Sequence, residues 1–340
     1  MTERVTRAGL TSPGRGALAR ALWLAGALSA LLPAAAPGRD RLSETGAVLA
    51  SFERGELSVN QAANRISLNG GEQAATEYLT RKLAQLFDAR RQTALLELLA
   101  LVATPNATLS ELAASALQGS DDLTQRLAAV RVLGRMKNPT LARVLTPLLS
   151  EKAVGLRREA SRALVALKAS KAAPALAKVA VLEEDPETRA LMLVSVGRLG
   201  DPKQARALES LLDVSSESTR LAATQALCLL GHKKGLDAAR ALLASKDRSE
   251  RLLGVMVLEG AAVGAVKAAL EPMTTDPEAA VRARAARVLA QAGEQRWLEW
   301  LVVEGGRGTV DEKLVVETEL EHLRLSDEQR AAILRRASLK

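Results

Sequence analysis

Aromatic side chains are nearly missing from this chain. Phe, Trp and Tyr make up 2% of its 340 residues, although 48% of the residues are apolar. Rings normally fill wide cores, and sheet strands favour β-branched and aromatic residues. Their scarcity excludes a broad sheet sandwich and favours closely approaching helices built from Ala, Leu and Val. Cysteine occurs once, at Cys228, which rules out an internal disulfide framework or a thiolate cluster. Two histidines, His232 and His322, leave no material for a His-rich metal site, so neither metal nor cofactor is expected. No His-Glu-x-x-His occurs, and neither histidine has a Ser or Cys at a spacing that recommends nucleophilic chemistry. No catalytic residue is expected, and the chain reads as a non-enzyme. A mean hydropathy of +0.03 excludes a multi-span membrane bundle.

Charge is present in both signs, with 47 basic and 39 acidic residues and a formal net charge of +8. Such a balance permits an acidic partner, but most of it is a mixed, solvating surface, which disfavours nucleic acid as the partner. Part of the excess lies at the start of the chain. Arg4, Arg7, Arg15 and Arg20 precede the apolar run Ala21 to Leu32, which is followed by Pro33-Ala34-Ala35-Ala36. Basic, then apolar, then small is the order of a secretory signal over residues 1–36, and the run falls short of the roughly 20 residues of a membrane span. Export to a bacterial periplasm or beyond the cell is the expectation. Pro37 is unfavourable next to the cleavage point, which leaves open cleavage at a neighbouring small residue, or retention as an inner-membrane anchor. A first helix of a cytoplasmic protein is weakened because no polar face interrupts the run.

Beyond residue 120 one spacing recurs: Arg126, Arg157, Arg189, Arg220, Arg251, Arg282 and Lys313 follow one another at intervals of 31 or 32 residues. Seven places after each anchor stand Leu133, Leu164, Val196, Leu227, Leu258, Leu289 and Leu320, and three places after it mostly small residues such as Ala129, Ala160, Ala223, Gly254 and Ala285. Offsets 0, 3, 4, 7, 10 and 11 share one face of a helix, so each anchor marks an amphipathic helix packed on its neighbours. Asp122, Asp185, Ser216, Asp247 and Asp276 are the expected N-caps. Pro186 and Pro277 suit a first helical turn, and Gly200, Gly231 and Gly293 are expected at helix ends. Shorter apolar helices fill the intervals. A period near 31 with paired helices is the signature of a solenoid.

Arg189 to Asp201 reads R-A-L-M-L-V-S-V-G-R-L-G-D, and Arg126 onward reads R-L-A-A-V-R-V-L-G-R-M. Both resemble the second helix of HEAT-like repeats of the bilin-lyase type, which have an armadillo-like fold. The resemblance covers about residues 121–325 in seven copies, and it breaks at the fifth, where Glu259-Gly260-Ala261-Ala262 replaces the usual Leu-Gly ending. It implies an all-α fold, a right-handed α-α superhelix that acts as a scaffold for other macromolecules, and it transfers no catalytic residue. Residues 40–120 are helical in pattern but out of phase, and are expected to form an N-terminal cap of irregular repeats, with Tyr78, Leu79, Leu83, Leu86 and Phe87 as one apolar stripe. Residues 326–340 are expected to form a C-terminal capping helix. No separate second domain is expected.

The anchor column lies on the packing side, where a guanidinium can bridge to carbonyls or to a capping Asp of an adjacent repeat, and reads as a structural ladder. Offsets 2, 5 and 9 project about 200°, 140° and 180° away from it, and in the family this face lines the concave groove. Here the flanking repeats place Arg131, Arg135, Arg162, Arg198, Arg284 and Arg287, with Glu159 as the sole acid. The central repeats place Leu191, Val194, Ala222, Gln225, Leu229, Leu253 and Met256. An apolar middle with arginine shoulders is the composition of a groove for a protein or peptide, in which apolar anchors give affinity and Arg forks give orientation. The rotation of the central helices, or another segment covering them, would remove it. Two other readings stay open. One is an enzyme or enzyme subunit of the HEAT-like lyase or nucleic-acid-modifying kind, with Glu159 and Arg162 converging near an aromatic. The other is an electrostatic binder of an anionic polymer. Trp297 and Trp300, at helical spacing, read as packing residues, with a partly exposed hot spot as the alternative, and Cys228 reads as a small buried hydrophobe.

Overall fold

The computed structural model describes residues 38–304 and 309–337. The expected signal segment and residues 305–308 lie outside the described residues. Every regular element among the described residues is helical, and none of those helices is long and apolar enough to cross a membrane. The chain divides into two compact units at Ala74, where the sequence had suggested one continuous array.

In the first unit α1 (Gly38–Glu53) packs against α2 (Val59–Leu68). Ser58 opens α2 with a capping box: its hydroxyl accepts from the Gln61 N–H, and the Gln61 side chain accepts from the Ser58 N–H at 2.9 Å. One face of α2 is then free to bury Ala62, Ala63 and Ile66. Helix α3 (Glu72–Gln85) starts at the division between the units.

The second unit continues with α4 (Ala89–Val102) and α5 (Ala107–Gly119) and then alternates two kinds of helix. The anchors ride on α6 (Leu123–Arg135), α8 (Val154–Ala166), α10 (Pro186–Leu199), α12 (Glu217–Leu229), α14 (Arg248–Val257), α16 (Ala279–Gln291) and α18 (Val310–Glu321). Between them lie α7 (Ala142–Leu145), α9 (Ala173–Leu182), α11 (Ala205–Glu209), α13 (Lys233–Leu243), α15 (Val263–Leu270) and α17 (Gln295–Glu304), and α19 (Asp327–Ala337) follows the last anchor. Each anchor helix packs on the next, so the anchors form one row with the shorter helices beside it. Prolines 139, 147, 202 and 272 tighten those shorter segments into 3-10 turns, because a proline cannot donate the helical hydrogen bond. The row also extends further back than expected. Helices α4 and α5 both pack on α6 as one more layer; the period does not reveal it because Leu95 stands one repeat before Arg126.

Side-chain caps set most starts in the row. Asp122, Asp185, Ser216 and Asp247 each accept from a backbone N–H of the helix that follows. Asp276 departs from expectation: α16 has Glu278 at its N-cap, and Pro277 lies before the helix. The Asp276 carboxylate still accepts from the Glu278 N–H at 2.9 Å, but it is buried and also gripped by Arg251, at 2.8 Å from Nε and 3.0 Å from Nη2. Phe87 departs too. It lies past the end of α3 and is 96% exposed, so it is not part of the apolar stripe.

Each anchor lies at the fourth residue of its helix, and five of the seven fold back over the turn before it. Arg157 Nη1 donates to the Glu151 and Lys152 carbonyls at 2.9 and 3.0 Å, and Arg220 Nη1 to those of Val214 and Ser215 at 2.8 Å each. Arg251 does the same with Ser245 and Lys246, and Arg282 with Asp276 and Pro277. Arg189 donates to the Glu183 carbonyl at 2.6 Å. The other end of the fork reaches the next layer: Arg126 pairs with Glu151 at 2.6 Å, Arg157 with Glu183 at 2.6 and 2.7 Å, and Arg282 with Glu312 at 3.1 Å. Lys313 is exposed. A charged, bidentate fork that also satisfies turn carbonyls is among the stronger polar contacts available to a thin layer.

These forks make the stack sensitive to acid. The Arg126 and Arg157 guanidiniums hold the Glu151 and Glu183 carboxyls below the ordinary value of 4.5. The Thr188 hydroxyl, with Arg158, brings Asp185 down to about 2. A carboxyl depressed on folding stabilises fully above its ordinary range and loses that contribution as the pH falls through its folded value. The melting temperature is therefore expected to hold from neutral pH to about 5 and to drop steeply below the ordinary carboxylate range. Glu183→Gln should melt lower at neutral pH and show a shallower acid drop, measured by circular dichroism; equal acid slopes for the two proteins would remove the forks from this account.

Candidate functional site

Along the face opposite the anchors, position nine of each repeat forms a row. Arg198, Leu229, Gly260 and Gln291 occupy it in successive repeats, each 31 residues from the last. Arg198 and Gln291 are exposed and Leu229 is half-buried. The fifth repeat is different because its helix turns early. In six repeats a residue at offset 11 takes the left-handed conformation that ends the helix: Lys137, Lys168, Gly200, Gly231, Gly293 and Arg324 have φ between 51° and 101°. In the fifth it is Gly260, at offset 9, with φ +85°. Helix α14 accordingly ends at Val257, six residues past its anchor, whereas α12 and α16 run to nine.

The missing turn opens a cavity of about 750 Å³. Leu229, Ala261, Val263, Val266, Val288 and Ala292 supply its apolar lining, and Arg198, Glu259 and Gln291 its polar atoms. Val263 is 50% exposed at the start of α15. Gly197 and Gly200 contribute bare backbone. Gly197 has a second duty: a Cβ there would stand 2.7 Å from the Ala226 Cα and 3.0 Å from the Leu229 Cβ, so α10 and α12 touch through it. This is the volume of ordinary small-molecule or side-chain pockets, which run to roughly 300–1,000 Å³.

No family model matches this chain, and no curated protein matches it at a significant level. Solved structures do. One is the complex of CpcE and CpcF of phycocyanin lyase from Nostoc sp. PCC7120, 18% identical over 73% of this chain and 94% of that one, with a TM-score of 0.47. Another is an engineered protein, 20% identical over 78% of this chain and 81% of that one, with a TM-score of 0.40. The described residues are all-α, and those of the second unit form a row of stacked helix pairs.

The arginine shoulders of the outer face do not stand alike. Arg131 and Arg162, both exposed, converge on Glu159 at 3.5 and 2.8 Å. Arg135 Nε donates to the Ala103 carbonyl at 2.9 Å. Arg284 meets Glu319 at 2.9 Å. Arg287, expected on the open face, is 6% exposed: it donates to Glu319 at 2.6 Å, Glu259 at 3.0 Å and Gln291 at 2.8 Å. Glu159 is thus not the sole acid at this face, because Glu259 and Glu319 reach it from neighbouring repeats. Both acids lie at other offsets within their own repeats, and the spacing that reveals one helix face does not reveal which carboxylates cross from the next layer. Arg198 is exposed and carries no carboxylate partner among the described residues.

The residues expected to form the apolar middle are all partly or fully covered. Leu191, Val194, Gln225, Leu229, Leu253 and Met256 are all half-buried, and Met256 packs on the cluster around Val255, Leu258 and Val288. Ala222 is buried. Glu159 and Arg162 form an ion pair, and neither lines the cavity. Among the described residues no group of His, Cys, Asp and Glu could hold a metal ion. Burial pushes the Cys228 thiol up to about 12, which keeps it protonated and unreactive. Trp297 and Trp300 are half-buried and meet edge to face at 6.2 Å, with the Arg296 guanidinium 4.9 Å from the Trp297 ring.

Two glycines separate close approach from open space. Gly197→Ala forces a methyl into the Ala226 backbone and should lower the unfolding free energy by about 1–3 kcal/mol. Gly264, in α15, has nothing within 4 Å of an added Cβ, so Gly264→Ala should raise it by about 0.5–1 kcal/mol through helix propensity. Urea titration checks both; a neutral Gly197→Ala would show that α10 and α12 are not in backbone contact.

Proposed function

We propose that the chain is an exported, non-enzymatic scaffold that binds a protein or peptide along the outer face of the anchor helices. One observation supports this reading: a row of half-buried apolar side chains, with the cavity at Gly260 and the exposed Val263 among them, lies between arginines on packed helices. Stripes of this kind are uncommon on soluble proteins without a partner to cover them. Export rests on the order of basic, apolar and small residues at the start of the chain. The mixed charge and the pairing of four of the arginines with carboxylates weigh against an anionic polymer as the partner.

A second reading is an enzyme or enzyme subunit of the HEAT-like lyase kind, and the volume of the cavity is what favours it. One experiment separates the two. The tagged full-length chain is recovered from its native cells, its mature N-terminus is read by mass spectrometry, and captured proteins are compared with those of Leu229→Asp/Met256→Asp. A processed N-terminus and a partner whose recovery falls about tenfold or more in a folded double variant are expected. Unchanged recovery sinks the groove, an intact N-terminus in the soluble cytoplasmic fraction sinks export, and a small molecule that copurifies with wild type alone favours the catalytic reading.

A further inference from the structure

The fifth repeat keeps the 31-residue spacing to the next anchor while its helix ends early. The row therefore loses one side chain, at Gly260, without losing register. Leu229 and Gln291 from the neighbouring repeats, Val263 and Val266 of α15, and Val288 line the space that is left. A Cβ at Gly260 would lie 3.2 Å from the Leu229 Cδ2, so a side chain there would press on Leu229. The gap is one or a few side chains in size and opens on the face proposed above to bind protein.

Two charged residues line it, Arg198 and Glu259, and only Glu259 has a partner of opposite charge among the described residues, Arg287. On the side of the later repeats, Arg284 and Arg287 are matched by Glu259 and Glu319, which leaves two cations against two anions. On the side of the earlier repeats, Arg198 lines the same cavity, exposed, with no carboxylate partner among the described residues. A pocket of mixed lining, whose aliphatic part lies beside one guanidinium with no carboxylate partner, is complementary to an apolar side chain with a carboxylate beside it. A basic segment would meet Arg198 with like charge, and a purely apolar one would leave its orienting power unused.

We infer that the Gly260 gap is the anchor subsite for an acidic amphipathic segment of a partner protein. One aliphatic or aromatic side chain fills the gap, and an Asp or Glu about one helical turn away pairs with Arg198. The inference rests on the protein-binding reading above and adds to it the position, the chemistry and the polarity of the bound segment.

The test uses a random-peptide phage library panned on the full chain, followed by affinity measurement of the enriched peptides by fluorescence anisotropy. Peptides that pair an apolar residue with an acid three or four positions away are expected. Arg198→Glu should weaken them about tenfold or more, and replacing the peptide acid with Lys should restore binding to Arg198→Glu while losing it for wild type. Val263→Trp, at a half-exposed position where added bulk leaves the fold intact, should fill the gap and weaken every enriched peptide. Circular dichroism checks that both variants are folded. Peptides lacking the acid, or indifferent to Arg198→Glu and Val263→Trp but lost in Leu229→Asp/Met256→Asp, overturn the subsite and leave the groove standing. No enrichment overturns both. Concentration-dependent self-association abolished by Val263→Trp would assign the gap to a second copy of the chain and overturn the partner named here.

Discussion

A guanidinium at the fourth position of five anchor helices, bent back onto the carbonyls of the turn before it, holds this stack in register. A turn between two antiparallel helices leaves carbonyls that no helix satisfies. An arginine can satisfy two of them with one nitrogen and still offer the rest of its fork to a carboxylate in the next layer, as Arg157 does with Glu151, Lys152 and Glu183. Lysine has no such planar fork. Because every layer is thin and closed mostly by Ala and Leu, little core exists within one repeat, and contacts to adjacent layers carry the stability. The poverty in aromatics follows from the same geometry. Helices that approach through Gly134 and Ala163, or Gly197 and Ala226, leave no width for rings.

Register held in this way lets one repeat change without disturbing the others. The left-handed turn falls at offset 11 in six repeats and at offset 9 in the fifth, yet Arg282 still follows Arg251 by 31 residues. The two residues released from α14 pass into the connection before α15, and the space they vacate becomes the cavity. Ladder and site are thus linked: the ladder fixes where Leu229 and Gln291 stand, and the early turn removes what would have stood between them.

Much of this was legible in the residues. The anchor spacing, four N-caps, the glycines at the helix ends and the break at Glu259-Gly260-Ala261-Ala262 could all be read before any coordinates, because each is a local rule tied to residue type. What could not be read involves two layers at once. Asp276 accepts from the Glu278 N–H, as its place before a helix suggests, but Arg251 from the preceding repeat binds it as well. Arg287 projects outward by helical angle, but acids from the repeats on either side bury it. The layer formed by α4 and α5 carries no arginine at the expected phase, so the period ends before the packing does. Helical spacing predicts direction from one axis; what occupies that direction depends on neighbours a repeat or more away.

The claim most open to direct attack is that the forks tie adjacent layers together. Hydrogen–deuterium exchange by mass spectrometry on wild type and Arg251→Met tests it, since Met keeps the apolar stem and removes the fork. The account predicts faster exchange concentrated in the two turns the fork joins, around residues 245–247 and 276–278, with protection unchanged in the α6 and α8 layers. Exchange unchanged at the turn around Asp276, or raised evenly along the whole chain, would contradict it.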